Sequence, residues 1–221
     1  MTTNYAKSSL APPIWVLAIA VSAANVGISL LSPAIPQLRD DLMVTSDEAQ
    51  LVLSAFLIML GVGQLIAGSL SDRIGRRPVL FYGSLLFLLS GLGALFSTSI
   101  EMLVAMRIFQ GLGAAACMAM GRVIISDSFR RAEAGRQMST ITMFQSVVPL
   151  LGFAFGGVMA DLVGWRGSVG LMVVTAAIVF LGTSLLLVES RDPSIQPVPS
   201  SRIIVVYGQL LVTPLFITNA M

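Results

Sequence analysis

The residue types able to do chemistry in this chain are few, and they cluster. The stretch Gly68-Ser69-Leu70-Ser71-Asp72-Arg73-Ile74-Gly75-Arg76-Arg77-Pro78 gathers one carboxylate and three guanidinium groups. Asp72 can accept from a nearby arginine or meet the positive N-terminal end of another helix. Arg73, Arg76 and Arg77 can bind lipid phosphates, lock onto a second bundle, or simply fix topology. Gly75 can take the left-handed backbone that ends a helix, and Gly68 lets a neighbouring helix approach closely. A further charge, Arg107, stands inside an apolar run. There a guanidinium faces protein or a water-filled cavity, forms a structural pair, or snorkels to the surface.

Covalent and metal chemistry find no support. The chain has no histidine, and its single cysteine, Cys117, lies in an apolar run. No Asp/Glu cluster occurs in a span and no nucleophile stands beside a base, so we expect no enzyme, no cofactor and no metal.

The elements that must position these residues are set by composition. Charged residues make up 11% of the chain and hydrophobic ones 56%, with a mean hydropathy of +0.90, whereas soluble domains are about a quarter charged. Apolar runs near 13–36, 49–70, 79–97, 101–121, 138–160 and 168–188 approach or exceed the roughly 20 residues that cross a hydrocarbon core. They lack period-two alternation, so they predict helices rather than barrel strands. A seventh run, 203–221, carries no charge. The first run is too long for a signal-peptide core and reads as a retained span. The expected fold is all-α: six transmembrane helices plus a truncated seventh.

The basic residues orient the bundle. With the N-terminus inside, ten of them, Lys7, Arg73 and Arg122 among them, fall on inner segments, and only Arg39 and Arg166 fall outside. The expected domains are a cytoplasmic tail (1–12), the bundle (13–188), a Pro/Ser-rich cytoplasmic linker (189–202) and the start of a seventh helix (203–221). The connection from Arg122 to Gln137 reads equally as a short surface helix or a solvated loop. The pI of 9.1 does not imply nucleic acid, because the arginines are spread between spans.

An internal repeat is visible. Gly68, Asp72, Gly75 and Arg77 recur 89 residues later as Gly157, Asp161, Gly164 and Arg166. Three helices separate the copies, so the two turns lie on opposite sides, and spans 1–3 and 4–6 form inverted repeats.

The stretch Gly68-x-Leu70-x-Asp72-Arg73-x-Gly75-Arg76-Arg77 resembles the signature loop between helices 2 and 3 of the major facilitator superfamily. Arg107-Ile108-Phe109-Gln110-Gly111-Leu112-Gly113 is similar to that superfamily's second motif. Gly152-Phe153-Ala154-Phe155-Gly156-Gly157 resembles the Gly-Pro-x-x-Gly-Gly signature of proton-coupled drug antiporters, with Phe153 in place of the proline and Pro149 a turn earlier. The glycines permit close helix contact and Pro149 a kink. With Pro33-Ala34-Ile35-Pro36 and Gly121 to Asp127, the chain looks most like the bicyclomycin-resistance type of antiporter. The aspartate common four residues before the first proline is Ser29 here, and no carboxylate lies deep in the six spans.

The resemblance covers the whole chain but only the N-terminal half of a twelve-helix fold. It implies a multi-pass protein of the bacterial inner membrane, moving a small molecule, as drug or metabolite efflux by proton antiport, through rocking against a missing C-terminal six-helix bundle. Asn25 and Ser29 are expected to line the cavity or to satisfy a neighbouring helix. On span 4, Met102, Met106, Gln110, Gly113, Cys117 and Met120 share one stripe, which suits an adaptable cavity or plain packing. Of these, Met106, Gln110 and Met120 are cavity candidates. The rival reading is a non-transporting truncated fragment or assembly partner that lacks the second bundle.

Overall fold

The computed structural model describes residues 12–129 and 131–187. The expected tail (apart from Pro12), linker and seventh run lie outside the described residues. The helices are α1 (Ile14–Ser29), α2 (Ile35–Leu42), α3 (Ser46–Ile74), α4 (Arg76–Leu95), α5 (Ile100–Ser128), α6 (Arg131–Val163) and α7 (Trp165–Leu186). A 3-10 turn, Ser32–Ala34, joins α1 to α2, and the two form one span, Ile14–Leu42. The described residues thus hold six helices long and apolar enough to cross a membrane. The protein is an all-α, multi-pass membrane protein.

Local chemistry sets the boundaries. Pro33 has no N–H to bond back to Ser29, so α1 ends there, and Pro36 sits in the first turn of α2, which restarts the span after the 3-10 turn. Thr45 caps α3 with a reciprocal box: its hydroxyl accepts from the Glu48 N–H while Glu48 Oε2 accepts from the Thr45 N–H at 2.8 Å. The Ser99 side chain starts α5 by accepting from the Met102 N–H at 3.3 Å. Pro149 lies within α6, which continues as one helix around it.

The connection from Arg122 to Gln137 is neither a surface helix nor a loop. It consists of the helical ends of two spans, since α5 runs to Ser128 and α6 starts at Arg131. A helix of 29 residues is about 43 Å long, close to the full thickness of a bilayer with its headgroup layers. Continuing the helix satisfies the backbone internally, and the polar side chains at the two helix ends, Asp127 and Glu133 among them, reach the hydrated layer without a loop.

The helices α3, α5, α1 and α6 stand side by side in one row, and α4 and α7 pack on each other behind α5 and α1. The flanking helices α3 and α6 are the least buried of the six spans, at 22% and 17% of their apolar windows, against 61% for α5 and 67% for the first span. Consecutive spans are therefore not neighbours in the row, and each half packs its second helix on the other half's first.

This is the inverted repeat in three dimensions, visible in single contacts. Gly63 of α3 packs on Ala115 of α5, and Gly152 of α6 packs on Ser29 of α1. Gly152 follows Gly63 by 89 residues and Ala115 follows Ser29 by 86, so the two contacts correspond to within one helical turn. Gly156 lies directly against the Leu30 carbonyl. Such small-residue contacts let helix backbones meet where lipid offers no hydrophobic drive to association.

Candidate functional site

The two repeated turns share one backbone geometry. Gly75 has φ 101° and ψ 164°, and Gly164 has φ 80° and ψ 178°; they are the positive-φ glycines of the described residues. This region of backbone space is essentially open to glycine alone. Each is a one-residue break between helices, and each N–H closes the preceding helix: Gly75 to Ser71 O at 3.0 Å, Gly164 to Ala160 O at 2.8 Å.

Each break carries a brace. At the first, Arg76 meets Asp72 at 3.1 Å, Asp127 of α5 at 3.2 Å and Ser71 O at 2.9 Å. Arg77, at the start of α4, donates from Nη2 to Ser184 O in the last turn of α7 at 3.3 Å. At the opposite end Arg166, at the start of α7, donates to Ser97 O just beyond α4 at 3.0 Å. Asp41 of α2 accepts from both Arg166 Nη1 and Trp165 Nε1 at 2.8 Å, and the guanidinium lies 4.2 Å from the Trp165 ring. The last carbonyls of a helix lack intrahelical donors and carry partial negative charge, which a guanidinium satisfies on both counts. The two arginines thus tie α4 and α7 together reciprocally, one at each end. Asp161 accepts from Gln37 at 3.3 Å, beside a cavity of about 450 Å³ lined by Asp41, Trp165 and Arg166.

The rest of the signature turns outward. Gly68 would have no atom within 4 Å of an added Cβ, so the close helix approach expected there does not occur within this bundle. Leu70 and Arg73 are exposed. Gly157 makes only ordinary contact with Pro33, and Pro149 is half-buried.

Arg107 is 1% exposed and joins three helices besides α5. Its Nη2 donates to Gly27 O in the last turn of α1 at 2.6 Å and its Nε to Val52 O of α3 at 3.3 Å. Nη1 donates to Gln110 Oε1 at 2.6 Å and to Met172 Sδ of α7 at 3.7 Å, and the Phe56 ring lies 4.2 Å from the guanidinium carbon. Carbonyl and amide oxygens, not carboxylates, hold this cation. Gln110 Nε2 is buried and unpartnered, facing Gly91.

The remaining candidates divide. Ser29 is buried against Gly152 and donates to Asn25 O. Met106 packs on Gly93 of α4, and Met120 is fully buried in the core. Asn25 is half-buried and donates to Gln145 O of α6 at 3.1 Å.

The open side of the row carries polar groups that sequence reasoning did not assemble. Arg122 of α5 is exposed and donates to Gln145 Oε1 at 3.0 Å, while Gln145 Nε2 donates to Val21 O of α1 at 3.3 Å. Met118 receives Gln64 Nε2 of α3 at 3.6 Å. In the sequence Arg122 stands out as an inner-side charge and as the start of the polar connection, not as a partner of Gln145. The one signal for Gln64 and Gln145 is a lone amide within an apolar run, which by itself is usually helix-to-helix satisfaction.

Comparison with known proteins follows the same outline. The Major Facilitator Superfamily profile matches residues 17–221. The chain is 32% identical over 181 residues to a chloramphenicol resistance protein of Pseudomonas aeruginosa, covering 77% of this chain and 42% of that one. It is 30% identical over 194 residues to multidrug resistance protein D of Escherichia coli, covering 88% and 48%. It therefore spans about half the length of the relatives it matches. A D-xylose-proton symporter superposes with a TM-score of 0.72 at 16% identity, over 93% of this chain and 54% of that one. A peptide transporter gives 0.73 at 15%, over 90% and 45%.

Proposed function

Since the chain belongs to the Major Facilitator Superfamily, we propose that it is the N-terminal bundle of a secondary transporter that exports drugs or metabolites by alternating access. The observation that carries this reading is the open face of the row. A membrane-spanning body that exposes Arg122 and Gln64, with half-buried Gln145 hydrogen-bonded to Arg122, carries polar groups that hydrocarbon does not suit. They suit a water-filled path shared with a second bundle. The low burial of α3 and α6 fits the same partner, which would close on both flanks. The names of the resistance relatives support a drug-like cargo. The excess of basic residues on the inner segments supports a cytoplasmic N-terminus and a place in the bacterial inner membrane.

Proton antiport is part of the proposal, with a condition. Every carboxylate of the described residues sits in the first or last turn of its helix, so a mid-membrane proton carrier must come from the second bundle. Arg107 is read as a positioning charge that holds α1, α3, α5 and α7 in register. The expected domain limits, 13–188 for the bundle and 189–202 for a linker, belong to the same proposal.

The test is flux. The whole transporter containing this bundle, reconstituted in proteoliposomes with and without a proton gradient, is expected to move members of a drug panel that includes chloramphenicol. Absence of substrate-dependent flux across the panel would remove the transport reading and leave a scaffold or assembly role.

A further inference from the structure

We propose that Arg122 is the substrate-selecting charge of the open face, where it receives the anionic group of an amphipathic organic acid. The inference rests on the transport reading and adds the chemical class of the cargo.

Arg122 differs from Arg39, Arg76, Arg77, Arg107 and Arg166. Arg39, Arg76 and Arg166 pair with carboxylates, Arg77 reaches a helix-end carbonyl and Arg107 is sealed inside the protein. Arg122 is exposed and, among the described residues, has no ion-pair partner. One hydrogen bond, Nη2 to Gln145 Oε1 at 3.0 Å, uses one of the five N–H donors of a guanidinium. The side chain lies six residues inside the C-terminal end of α5, about 9 Å along the axis.

Its single bond is to a residue of α6 that is itself tied twice to α1. Gln145 of α6 gives its amide N–H to Val21 O of α1, and its own backbone carbonyl accepts from Asn25 of α1. The acceptor that orients Arg122 is therefore itself immobilised, which pre-sets one edge of the guanidinium and leaves the rest available. A carboxylate fits that free fork with two parallel charge-assisted bonds. Met118 lies four residues earlier and hence on the same side of α5, towards mid-membrane, with its sulfur held by Gln64. Methionine adapts to varied apolar shapes. The pair defines a polarity: an acidic group at Arg122, and an apolar body across Met118. If the arginine served topology alone, a lysine or a shift by one turn would do as well, and Gln145 would need no bracing by α1.

The experiment uses the whole transporter reconstituted at equal protein, with carboxyfluorescein as the organic anion and tetraphenylphosphonium as the permanent cation. Wild type is expected to move carboxyfluorescein. Arg122→Ala should lower that rate about tenfold or more, mainly through KM, as expected when a charged hydrogen-bonding partner is lost. Cation flux should be unchanged or raised, and Arg122→Lys should fall between for the anion. Matching thermal unfolding of wild type and variants separates selection from misfolding. Equal loss of both probes, or no change in either, would overturn the assignment. Wild-type flux of the cation alone would overturn it too while leaving transport standing, whereas failure across the entire drug panel would remove the transport reading with it.

Discussion

Gly75 and Gly164, 89 residues apart, occupy the same glycine-only region of backbone space, at φ 101°, ψ 164° and φ 80°, ψ 178°. Each is the one-residue break between the second and third spans of its half of the bundle.

An alanine at Gly164 would meet no atom within 4 Å, so its cost is backbone strain alone, about 1–3 kcal/mol. Gly164→Ala is expected to lower the thermal midpoint of the purified protein by several degrees, and Gly75→Ala to do the same. Gly68→Ala is the control: it lies within α3 in open space, and it should be neutral or stabilising by up to about 1 kcal/mol. Midpoints that fall alike for all three would contradict the assignment of strain to the two breaks.

Gly152 and Ser29 should be interchangeable in size. Gly152→Ala forces a methyl into Ser29 and is expected to destabilise by about 1–3 kcal/mol. Ser29→Gly on that background removes both atoms in the way and should restore most of the loss. A double variant no better than the single would show that the helices meet elsewhere.

Gln110→Glu tests the buried cation. The new carboxylate would stand where Oε1 now accepts from Arg107 at 2.6 Å, and the unpartnered Nε2 would disappear. Thermal stability should be retained or raised. Arg107→Ala should instead lose about 3 kcal/mol or more, because the carbonyls it satisfies remain buried. Thermal unfolding of the three proteins decides the matter, and a marked drop for Gln110→Glu would exclude the pairing.

Asp41 and Arg166 should couple weakly and salt-dependently. Both are exposed in part, 51% and 41% by side chain, so a double-mutant cycle should give only a small coupling that shrinks at high salt. Arg166→Ala should cost more than Asp41→Asn, since Arg166 also holds Ser97 O and covers Trp165.

Asp72→Asn should impair flux in the whole transporter more than it lowers the amount of protein in the membrane. Arg76 keeps Ser71 O and Asp127 without it, so the turn stays braced. Equal loss of flux and amount would mark Asp72 as a folding residue.

The sequence alone determined what depends on a residue and its near neighbours. Leaving water is a sum of transfer terms along the chain, so six spans and their composition were legible from hydropathy. The break at Gly75 and, through the repeat, its counterpart at Gly164 were legible because φ restriction is local; the interruption at Pro33 was not, since the apolar run 13–36 passes over it. Helix ends were not: α5 and α6 outrun their apolar stretches, since a helix continues into the headgroup layer wherever its polar side chains find water there.

Only the tertiary structure decided which way each side chain faces. Met120 is sealed in the core while Met118, two residues away, carries the open face. In a soluble helix the polar stripe marks the outside. In a lipid-spanning helix the lipid face and the protein face are equally apolar, so periodicity carries no such mark. For the same reason Arg122, Gln145 and Asn25 became a group only once α5, α6 and α1 had been set side by side, and Arg166 found Asp41 only across 125 residues of chain.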